Sequence, residues 1–526
     1  MRPPEAGSRD PALASLRYRF GFLFHRTAEL DALPSGCLPD HDWQKDEAGA
    51  FRLWRHPDTR LETHRAGARV LIALGDIFDA MTGAAADVSA LANAIDDEAL
   101  YRHLDELGGR FVLILVEGGR ARVFHDAIGS RSVFYHAGAP FCVGSHAALV
   151  AQAVCARRSN EVSVLLDHAL FKARDVKFLP GDMTLYENVY GLIPNTLLDS
   201  GHASGGSADG GPTTRRYWPR APLRSTQIDS FLDMAQSVLT AHAAFVSSRY
   251  KALFGLTGGV DTRTVFAAFH ATGTPFETVT WRGRQLHPDE APVVERLSSY
   301  LGVPHLDLSM GKGPTGQVAT IASENGGGYR GRIRTAERMS AVYGPRSGHV
   351  FVRCWGGEVM RGFYNTFKTP MRAASTHEMV RSYGGSWIKQ NASEPTRNLV
   401  WDGFEGFRQR AQYDRLDALG YDVNDIFYWE HRMGMWASGV NNELDVAMPT
   451  LIGMNNRRLY DAAFGLAKEQ RLTKKLLLQV IDRFDPDLAR IPLAPLKPAN
   501  RVSLEPSTVS GFAGRAYAAL RRITRL

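Results

Sequence analysis

The pattern of apolar and polar residues changes character after about 220 residues. Between Val70 and Val150, short runs of β-branched and aromatic residues alternate with turns containing Gly or Pro, which predicts a mostly antiparallel sheet. After Tyr217, apolar strands alternate with helical stretches, a pattern typical of a parallel sheet covered by helices. The segment 198–215 between them is rich in Gly, Ser and Thr, which indicates a flexible loop or linker. We therefore predict an α/β chain with more than one core.

One βαβ unit stands out in the second half. A helix is predicted over 228–245, followed by an apolar strand at 250–256, a glycine turn, a second helix from about Thr262, and a strand at 276–280. Ligands of open α/β sheets bind at the carboxyl ends of strands. The glycine turn is therefore the first candidate site.

Length, composition and charge narrow the class. With 526 residues, 44% hydrophobic and 22% charged, the chain fits a globular protein of two or three domains. A balance of 62 basic to 55 acidic residues is a mild excess without a recognition motif, so nucleic-acid binding is not expected. Four scattered cysteines fit neither a disulfide framework nor a zinc site. Apolar runs shorter than about 20 residues and an N-terminus without an apolar stretch predict no transmembrane segment and a cytoplasmic location.

The glycine turn, Leu256 to Arg263, reads LTGGVDTR. Glycines let an anion approach the backbone, and the following helix presents unpaired amides and a favourable dipole, which predicts phosphate binding. A kinase-like loop would place a Lys beside the hydroxyl residue, and none is present. An ordinary βα turn is the alternative interpretation.

This turn resembles the pyrophosphate-binding loop of asparagine synthetases, Ser-Gly-Gly-Leu-Asp-Ser, with Thr257 and Thr262 in place of its two serines. The resemblance implies an ATP pyrophosphatase that releases AMP and pyrophosphate. Together with the next strand and a second glycine turn, it predicts a nucleotide site formed by Leu256, Thr257, Gly258, Gly259, Asp261, Thr262, Thr280, Gly356 and Gly357.

Two further segments support the resemblance. The stretch 287–305 is similar to the family's helix that opens with Asp-Glu and ends in Leu-Gly, although it also fits an ordinary amphipathic helix. The run from Gly356 to Tyr364 resembles the family's Gly-Ser-Asp-Glu-Leu-Phe-Gly-Gly-Tyr, whose Asp helps bind magnesium. Glu358 takes that position, so Asp261 and Glu358 are the predicted Mg²⁺ ligands. In the alternative, Glu358 caps a helix or pairs with Arg361.

The segment 428–452 resembles the family helix that carries Arg-Met and then an acid before a Pro. Arg432 matches the Arg, and Asp445 takes the place of the acid, with Glu443 as a competing candidate. Further on, Lys474 and Lys475 stand where the family has basic residues near the active site, although an exposed helical Lys is the common alternative. The predicted catalytic residues are Arg432, Asp445, Lys474 and Lys475.

The first half is similar to a glutaminase domain. Its Gly-Asp-Phe strand is matched by Gly109 and Phe111, with Arg110 replacing the Asp, and its later motif is matched at Asp126, Gly129, Arg131 and Tyr135. Active members use an N-terminal cysteine as nucleophile. Here residue 2 is Arg, and the first cysteine is Cys37, for which no processing site is evident. The domain is therefore expected to lack glutaminase activity.

The resemblance implies an Ntn-hydrolase-like αββα domain over 1–220 and an adenine-nucleotide α-hydrolase-like parallel-sheet domain over 221–500. It further implies an amide ligase that uses ATP and Mg²⁺ to activate a small-molecule or peptide carboxylate for capture by an amine. The alternatives are another pyrophosphatase, acting on nucleotides or tRNA, and a catalytically inactive scaffold. Trp355 stands where β-lactam-forming relatives carry a Tyr, which disfavours β-lactam closure. A basic tail over 501–526 is predicted to form a helix that docks on the body of the protein or, in the alternative, contacts an anionic surface.

Overall fold

The computed structural model describes residues 11–39, 42–172, 174, 176–201, 211–282, 290–311, 315–329, 331–366 and 373–494. The basic tail and its predicted helix lie outside these residues. No helix within them is both long and apolar enough to cross a membrane.

The N-terminal half contains two six-stranded antiparallel sheets. The first has the strand order β10-β8-β9-β1-β3-β2, and the second has the order β12-β11-β7-β6-β5-β4. The strands are β1 (Phe22–Arg26), β2 (Gln44–Ala48), β3 (Phe51–Arg55), β4 (Leu61–Ala66), β5 (Arg69–Asp79), β6 (Leu107–Glu117), β7 (Arg120–His125), β8 (Phe134–His136), β9 (Cys142–Gly144), β10 (Val189–Gly191), β11 (Thr196–Asp199) and β12 (Thr213–Arg216).

The two sheets pack face to face, because every second side chain along a strand points toward the facing sheet. Phe22 and Phe24 of β1 pack in one cluster with Val70 and Ile72 of β5. The intervening Leu71 joins a second cluster on the outer face, as expected when successive side chains point to opposite faces. The helices of this half are α1 (Pro11–Ala14), α2 (Val88–Ala92), α3 (Asp97–Glu106), α4 (Ala147–Ala153), α5 (Asn160–Asp167) and α6 (Ala169–Lys172).

Helices α2 and α3 cover the outer face of the second sheet, and α4 covers the outer face of the first. The layers are therefore helix, sheet, sheet, helix, which confirms the αββα sandwich predicted for the N-terminal half.

The second half is built on a five-stranded parallel sheet. Its strands are β13 (Lys251–Gly255), β14 (Phe276–Arg282), β15 (His305–Ser309), β16 (His349–Arg353) and β17 (Thr450–Ile452). Their order is β15-β14-β13-β16-β17, and every pair is parallel. From β13 the chain adds β14 and β15 on one side of the sheet, and it then adds β16 and β17 on the other side. The strand order therefore reverses between β13 and β16, which is the reversal point of the sheet. This confirms the parallel sheet predicted for the second half.

Helices cover both faces of this sheet. The helices are α7 (Ile228–Ser247), α8 (Val260–Ala271), α9 (Ala291–Leu301), α10 (Gln317–Asn325), α11 (Ile333–Tyr343), α12 (Gly357–Met360), α13 (Thr376–Asn391), α14 (Glu394–Arg410), α15 (Val423–Phe427), α16 (Ser438–Leu444), α17 (Arg457–Phe464), α18 (Lys468–Arg471), α19 (Lys475–Phe484) and α20 (Pro486–Arg490). A π-helical segment, Tyr428–Ala437, continues α15 into α16. Short 3₁₀ turns lie at Phe363–Thr366, Tyr413–Arg415 and Asp417–Leu419.

Buried polar pairs join the two halves. Arg216 at the end of β12 donates to both carboxylate oxygens of Glu430 at 2.6 and 2.8 Å, and Arg110 on β6 does the same to Asp445 at 2.6 and 2.7 Å. All four side chains are at most 4% exposed. Because an unpaired buried charge is costly, these pairs fix how the sandwich sits on the parallel-sheet domain.

Candidate nucleotide and metal site

The glycine turn leaves β13 at Gly255 and enters α8 at Val260, slightly earlier than the helix start near Thr262 that the sequence predicts. Amides in the first turn of a helix have no intrahelical acceptor, so this turn presents donors at the carboxyl edge of the sheet. The Gly259 N–H contacts Thr257 Oγ1 at 3.4 Å. The Gly258 N–H donates to a carboxylate oxygen of Glu290 at 3.1 Å. One amide of the predicted anion site is therefore already hydrogen-bonded to a carboxylate oxygen.

The second glycine turn follows β16, the neighbour of β13 across the reversal point. Gly356 has φ +108°, and a Cβ there would collide with the Tyr460 hydroxyl and with Met454. A Cβ on Gly357 would collide with Asp261 Oδ1. Gly356 therefore requires Gly, and the close approach at Gly357 brings the carboxylate of Asp261 against the start of α12.

Asp261 and Glu358 face the same point at this edge. Each side chain is 22% exposed, yet Asp261 Oδ1 and Glu358 Oε2 are both fully buried and have no hydrogen-bond partner among the residues that the structure describes. A guanidinium nitrogen of Arg361 lies 3.2 Å from Asp261 and 3.9 Å from Glu358. The alternative pairing of Glu358 with Arg361 is therefore present only as a long contact, and Asp261 is the closer partner.

The pKa of Glu358 is raised to about 7, and burial is the largest cause. The negative charge of Asp261 also raises this pKa, and its effect is larger than the lowering effect of Arg361. A bound cation would reverse this effect by favouring the charged form. Among the described residues, no group of three or more His, Cys, Asp or Glu is placed to hold a metal. Mg²⁺ typically needs only one or two carboxylates beside substrate phosphates and water. The two unsatisfied oxygens fit that requirement.

The two candidate lysines differ in position. Lys474 precedes α19 and is partly buried, whereas Lys475, the first residue of α19, is exposed. Burial lowers the pKa of Lys474, Arg361 lowers it further, and Asp261 opposes both. Lys474 therefore lies within electrostatic range of Asp261.

Arg432 lies on the π-helical segment and is partly buried. Its guanidinium lies over the rings of Trp436 at 4.5 Å and Phe178 at 5.1 Å. It is close enough to oppose the raising effects of burial and Asp261 on the pKa of Glu358. The structure thus brings Arg432 to the same edge as the predicted metal ligands.

Asp445 faces the N-terminal sandwich. Both of its carboxylate oxygens are bound by Arg110, and the residue is only 1% exposed. The catalytic role stays a prediction, and these contacts give Asp445 a structural role between the two halves. The competing Glu443 is also buried and accepts hydrogen bonds from the Gly331 and Arg332 amides at 3.2 and 3.0 Å.

Two predicted nucleotide contacts have structural partners. The buried Thr280 hydroxyl donates to the Leu256 carbonyl at 3.0 Å, which holds the start of the glycine turn and leaves that hydroxyl proton unavailable to a ligand. Thr262 lies near the Cys354 thiol and lowers its pKa, against the larger raising effect of burial. Leu256 itself is fully buried, so any contribution it makes to binding is through its backbone.

The segment after α20 covers the glycine turn, which the sequence did not predict. Ala494 donates its N–H to the Gly258 carbonyl at 3.0 Å. The fully buried Arg263 donates to the backbone carbonyls of Leu488, Ile491 and Pro492. The signal in the sequence was Arg263 itself, a charged residue in the first turn of the helix, just before the apolar run 265–269.

The first half offers no activated thiol at Cys37. That side chain is 2% exposed, and burial raises the pKa of its thiol to about 11. Since the thiolate is the nucleophile, this environment makes Cys37 inert.

Comparisons with known proteins give only distant likenesses. No family model matches the sequence, and no curated protein matches it. Among solved structures, a glutamine PRPP amidotransferase from B. subtilis complexed with ADP and GMP is similar over 56% of this chain and 61% of its own, at 11% identity and a TM-score of 0.22. An allosteric regulatory enzyme of purine biosynthesis is similar over 53% and 63%, at 12% identity and 0.23. NMN synthetase from Francisella tularensis is similar over 40% and 96%, at 11% identity and 0.21. The chain thus spans less than two thirds of the first two, and scores this low carry no argument about function.

Proposed function

We propose that this protein is an ATP-dependent amide ligase related to asparagine synthetase, which activates a carboxylate as its acyl-adenylate and transfers the acyl group to an amine. The observation that carries the proposal is the pairing of Asp261 and Glu358. Two carboxylates with buried, unsatisfied oxygens lie beside a glycine turn at the reversal point of a parallel sheet. Ligands of open α/β folds bind at that place.

Each group in the site has a role in this reaction. The glycine turn and the first amides of α8 would hold the β- and γ-phosphates. Asp261 and Glu358 would hold Mg²⁺, which neutralises charge on the departing pyrophosphate. Lys474 and Arg432 would stabilise negative charge on the phosphates and on the activated carboxylate. The substrate carboxylate attacks the α-phosphorus, the bond to the pyrophosphate oxygen breaks, and an amine then displaces AMP from the acyl carbon.

Several features support an enzyme over a scaffold. A purely structural protein gains nothing from leaving two carboxylate oxygens buried without partners, since each unsatisfied group costs on the order of 1–3 kcal/mol. Strongly shifted pKa values are typical of functional sites. The raised pKa of Glu358 is such a case.

The product of ATP cleavage tests the proposal. Purified protein, Mg²⁺ and ATP would be incubated with a panel of amino acids, dipeptides and dicarboxylic acids, with hydroxylamine as the amine. We expect AMP, pyrophosphate and a hydroxamate in equal amounts with at least one acid. ADP and phosphate as products would contradict attack at the α-phosphorus. Absence of both ATP binding and cleavage would favour the scaffold alternative.

A further inference from the structure

The backbone of Gly258, in the first glycine turn, is held on both sides by other parts of the chain. Its carbonyl accepts from the Ala494 N–H at 3.0 Å, and its own N–H donates to the Glu290 carboxylate at 3.1 Å. A Cβ at this position would lie 2.4 Å from the Ala494 Cβ and 3.3 Å from side-chain atoms of Glu290 and Val293. Gly258 is therefore buried beneath the start of α9 and the segment after α20.

The first part of the covering segment, residues 488–492, is fixed to α8. The Arg263 guanidinium donates to the backbone carbonyls of Leu488 at 3.4 Å and Pro492 at 3.1 Å, and also to that of Ile491. Arg263 is fully buried, so breaking these bonds would leave a buried charge without these partners, at a large cost. We call residues 488–492 the anchor.

The next two residues, Leu493 and Ala494, are both partly exposed. Leu493 packs at the margin of the main hydrophobic cluster, and Ala494 makes the hydrogen bond to Gly258. A backbone hydrogen bond of this kind shifts an equilibrium by roughly two- to tenfold. These two residues, which we call the latch, can therefore leave the glycine turn while the anchor stays in place.

The latch bears on phosphate binding because it fixes the peptide groups of Gly258. A residue has two soft backbone dihedrals, and hydrogen bonds on both its N–H and its carbonyl restrict them. In this arrangement the Gly258 N–H points at the negatively charged Glu290. That amide is one of the donors that the proposed function assigns to the phosphates, so the turn as it stands does not offer it to an anion.

We propose that Leu493 and Ala494 form an autoinhibitory latch, which keeps the first glycine turn closed to phosphates until ATP displaces it. Pro492, the last residue of the anchor, marks the hinge. The inference rests on the proposed function and adds the regulation of the same site. The affinity for ATP is then reduced in proportion to the fraction of molecules whose latch is open.

Ala494→Pro tests the latch, because proline has no N–H to donate to Gly258. Calorimetry on the full chain with Mg²⁺ would compare the binding of ATP, inorganic pyrophosphate and adenosine. The variant should bind ATP and pyrophosphate roughly two- to tenfold more tightly than the wild type. Adenosine has no phosphate, so its affinity should be the same in both proteins.

The matched control is Asn160→Pro. Asn160 is exposed and is the first residue of α5, a position where proline is well tolerated. This variant should bind all three ligands as the wild type does. If Ala494→Pro does not fold, Ala494→Gly, which removes the side chain lying against Gly258, must tighten pyrophosphate binding instead.

Weaker binding of pyrophosphate by Ala494→Pro would show that the segment holds the turn in its binding form, and would overturn the latch. Unchanged binding, or no binding of ATP and pyrophosphate by either protein, would overturn it as well. Formation of AMP separates the two proposals. Tighter binding by the variant without AMP formation would leave the latch standing and remove the ligase, whereas AMP formation with unchanged binding would do the reverse.

Discussion

Asp261 and Glu358 meet at the carboxyl edge of the parallel sheet, where each keeps one buried carboxylate oxygen without a hydrogen-bond partner. Two acids held together in this way disfavour each other's charged form. Holding the two acids together lowers the stability of the metal-free protein, and a cation between the oxygens would remove this destabilisation. The predictions below test this relationship and the contacts around it.

Glu358→Gln should stabilise the metal-free protein at pH 8. The pKa of Glu358 rises from 4.5 to about 7 on folding, so the folded protein holds this proton more tightly than the unfolded chain. Its ionisation therefore destabilises the fold progressively from pH 4.5 to about 7 and fully above that. Removing the charge should add up to about 3 kcal/mol at pH 8 and almost nothing at pH 4. Denaturant unfolding in EDTA measures this, and equal destabilisation at both pH values would contradict it.

Arg110→Ala should destabilise the protein by about 3–5 kcal/mol, because it leaves Asp445 buried without its partner. The matched control is Arg490→Ala, which removes an ion pair whose side chains are 77% and 71% exposed and should cost less than about 1 kcal/mol. Asp445→Asn should likewise reduce stability. If instead it abolished adenylation with an unchanged melting temperature, the catalytic role predicted from sequence would be supported.

Glu290→Gln should tighten ATP binding several-fold. The Glu290 carboxylate accepts from the Gly258 amide, a donor that the proposed function assigns to the phosphates, so ATP must displace a negative charge. Gln removes the charge and weakens the competing hydrogen bond. Titration with ATP and Mg²⁺ measures the change. Weaker binding by the variant would mean that Glu290 holds the turn in its binding-competent form.

His242→Leu should reduce the loss of stability at low pH. Burial lowers the pKa of His242 to about 4, and both ring nitrogens lack partners. The unfolded chain takes up this proton from pH 6.5 downward, so the histidine costs stability between pH 6.5 and 4. The cost reaches about 2 kcal/mol at pH 5. The free energy of unfolding of the variant, relative to that of the wild type, should therefore increase by that amount between pH 7.5 and pH 5. His103→Leu, at an exposed histidine, serves as the control. A gap that stays constant with pH would show that His242 does not titrate in this way.

The sequence predicted the architecture well because its signals are local. Hydrophobic periodicity and the positions of Gly and Pro predict the glycine turn at 256–259 and the strands on either side. They also predict the helix that ends at Gly302, which has φ +61°. The convergence of Asp261 and Glu358 followed from topology alone, since the carboxyl ends of neighbouring parallel strands lie at the same edge of the sheet.

Contacts between the two halves could not be predicted in the same way. Asp445 was assigned by its spacing from Pro449, but its role depends on Arg110, which lies 335 positions away. The choice between Lys474 and Lys475 depends on how α19 is rotated against its neighbours, and adjacent helical residues point in different directions. The π-helical segment replaces an expected helix, because tertiary packing determines where such a widening occurs.

ATP–pyrophosphate exchange in Asp261→Asn and Glu358→Gln tests the central claim most directly. Wild-type protein should exchange labelled pyrophosphate into ATP when Mg²⁺ and a suitable carboxylate are present. Each variant should lose about 10²–10³ in rate, whereas Asp229→Asn, at a side chain that is 79% exposed, should keep it. Full exchange by Glu358→Gln would show that Glu358 is not a metal ligand. A wild type that neither exchanges with any carboxylate nor binds ATP would contradict the ligase account as a whole.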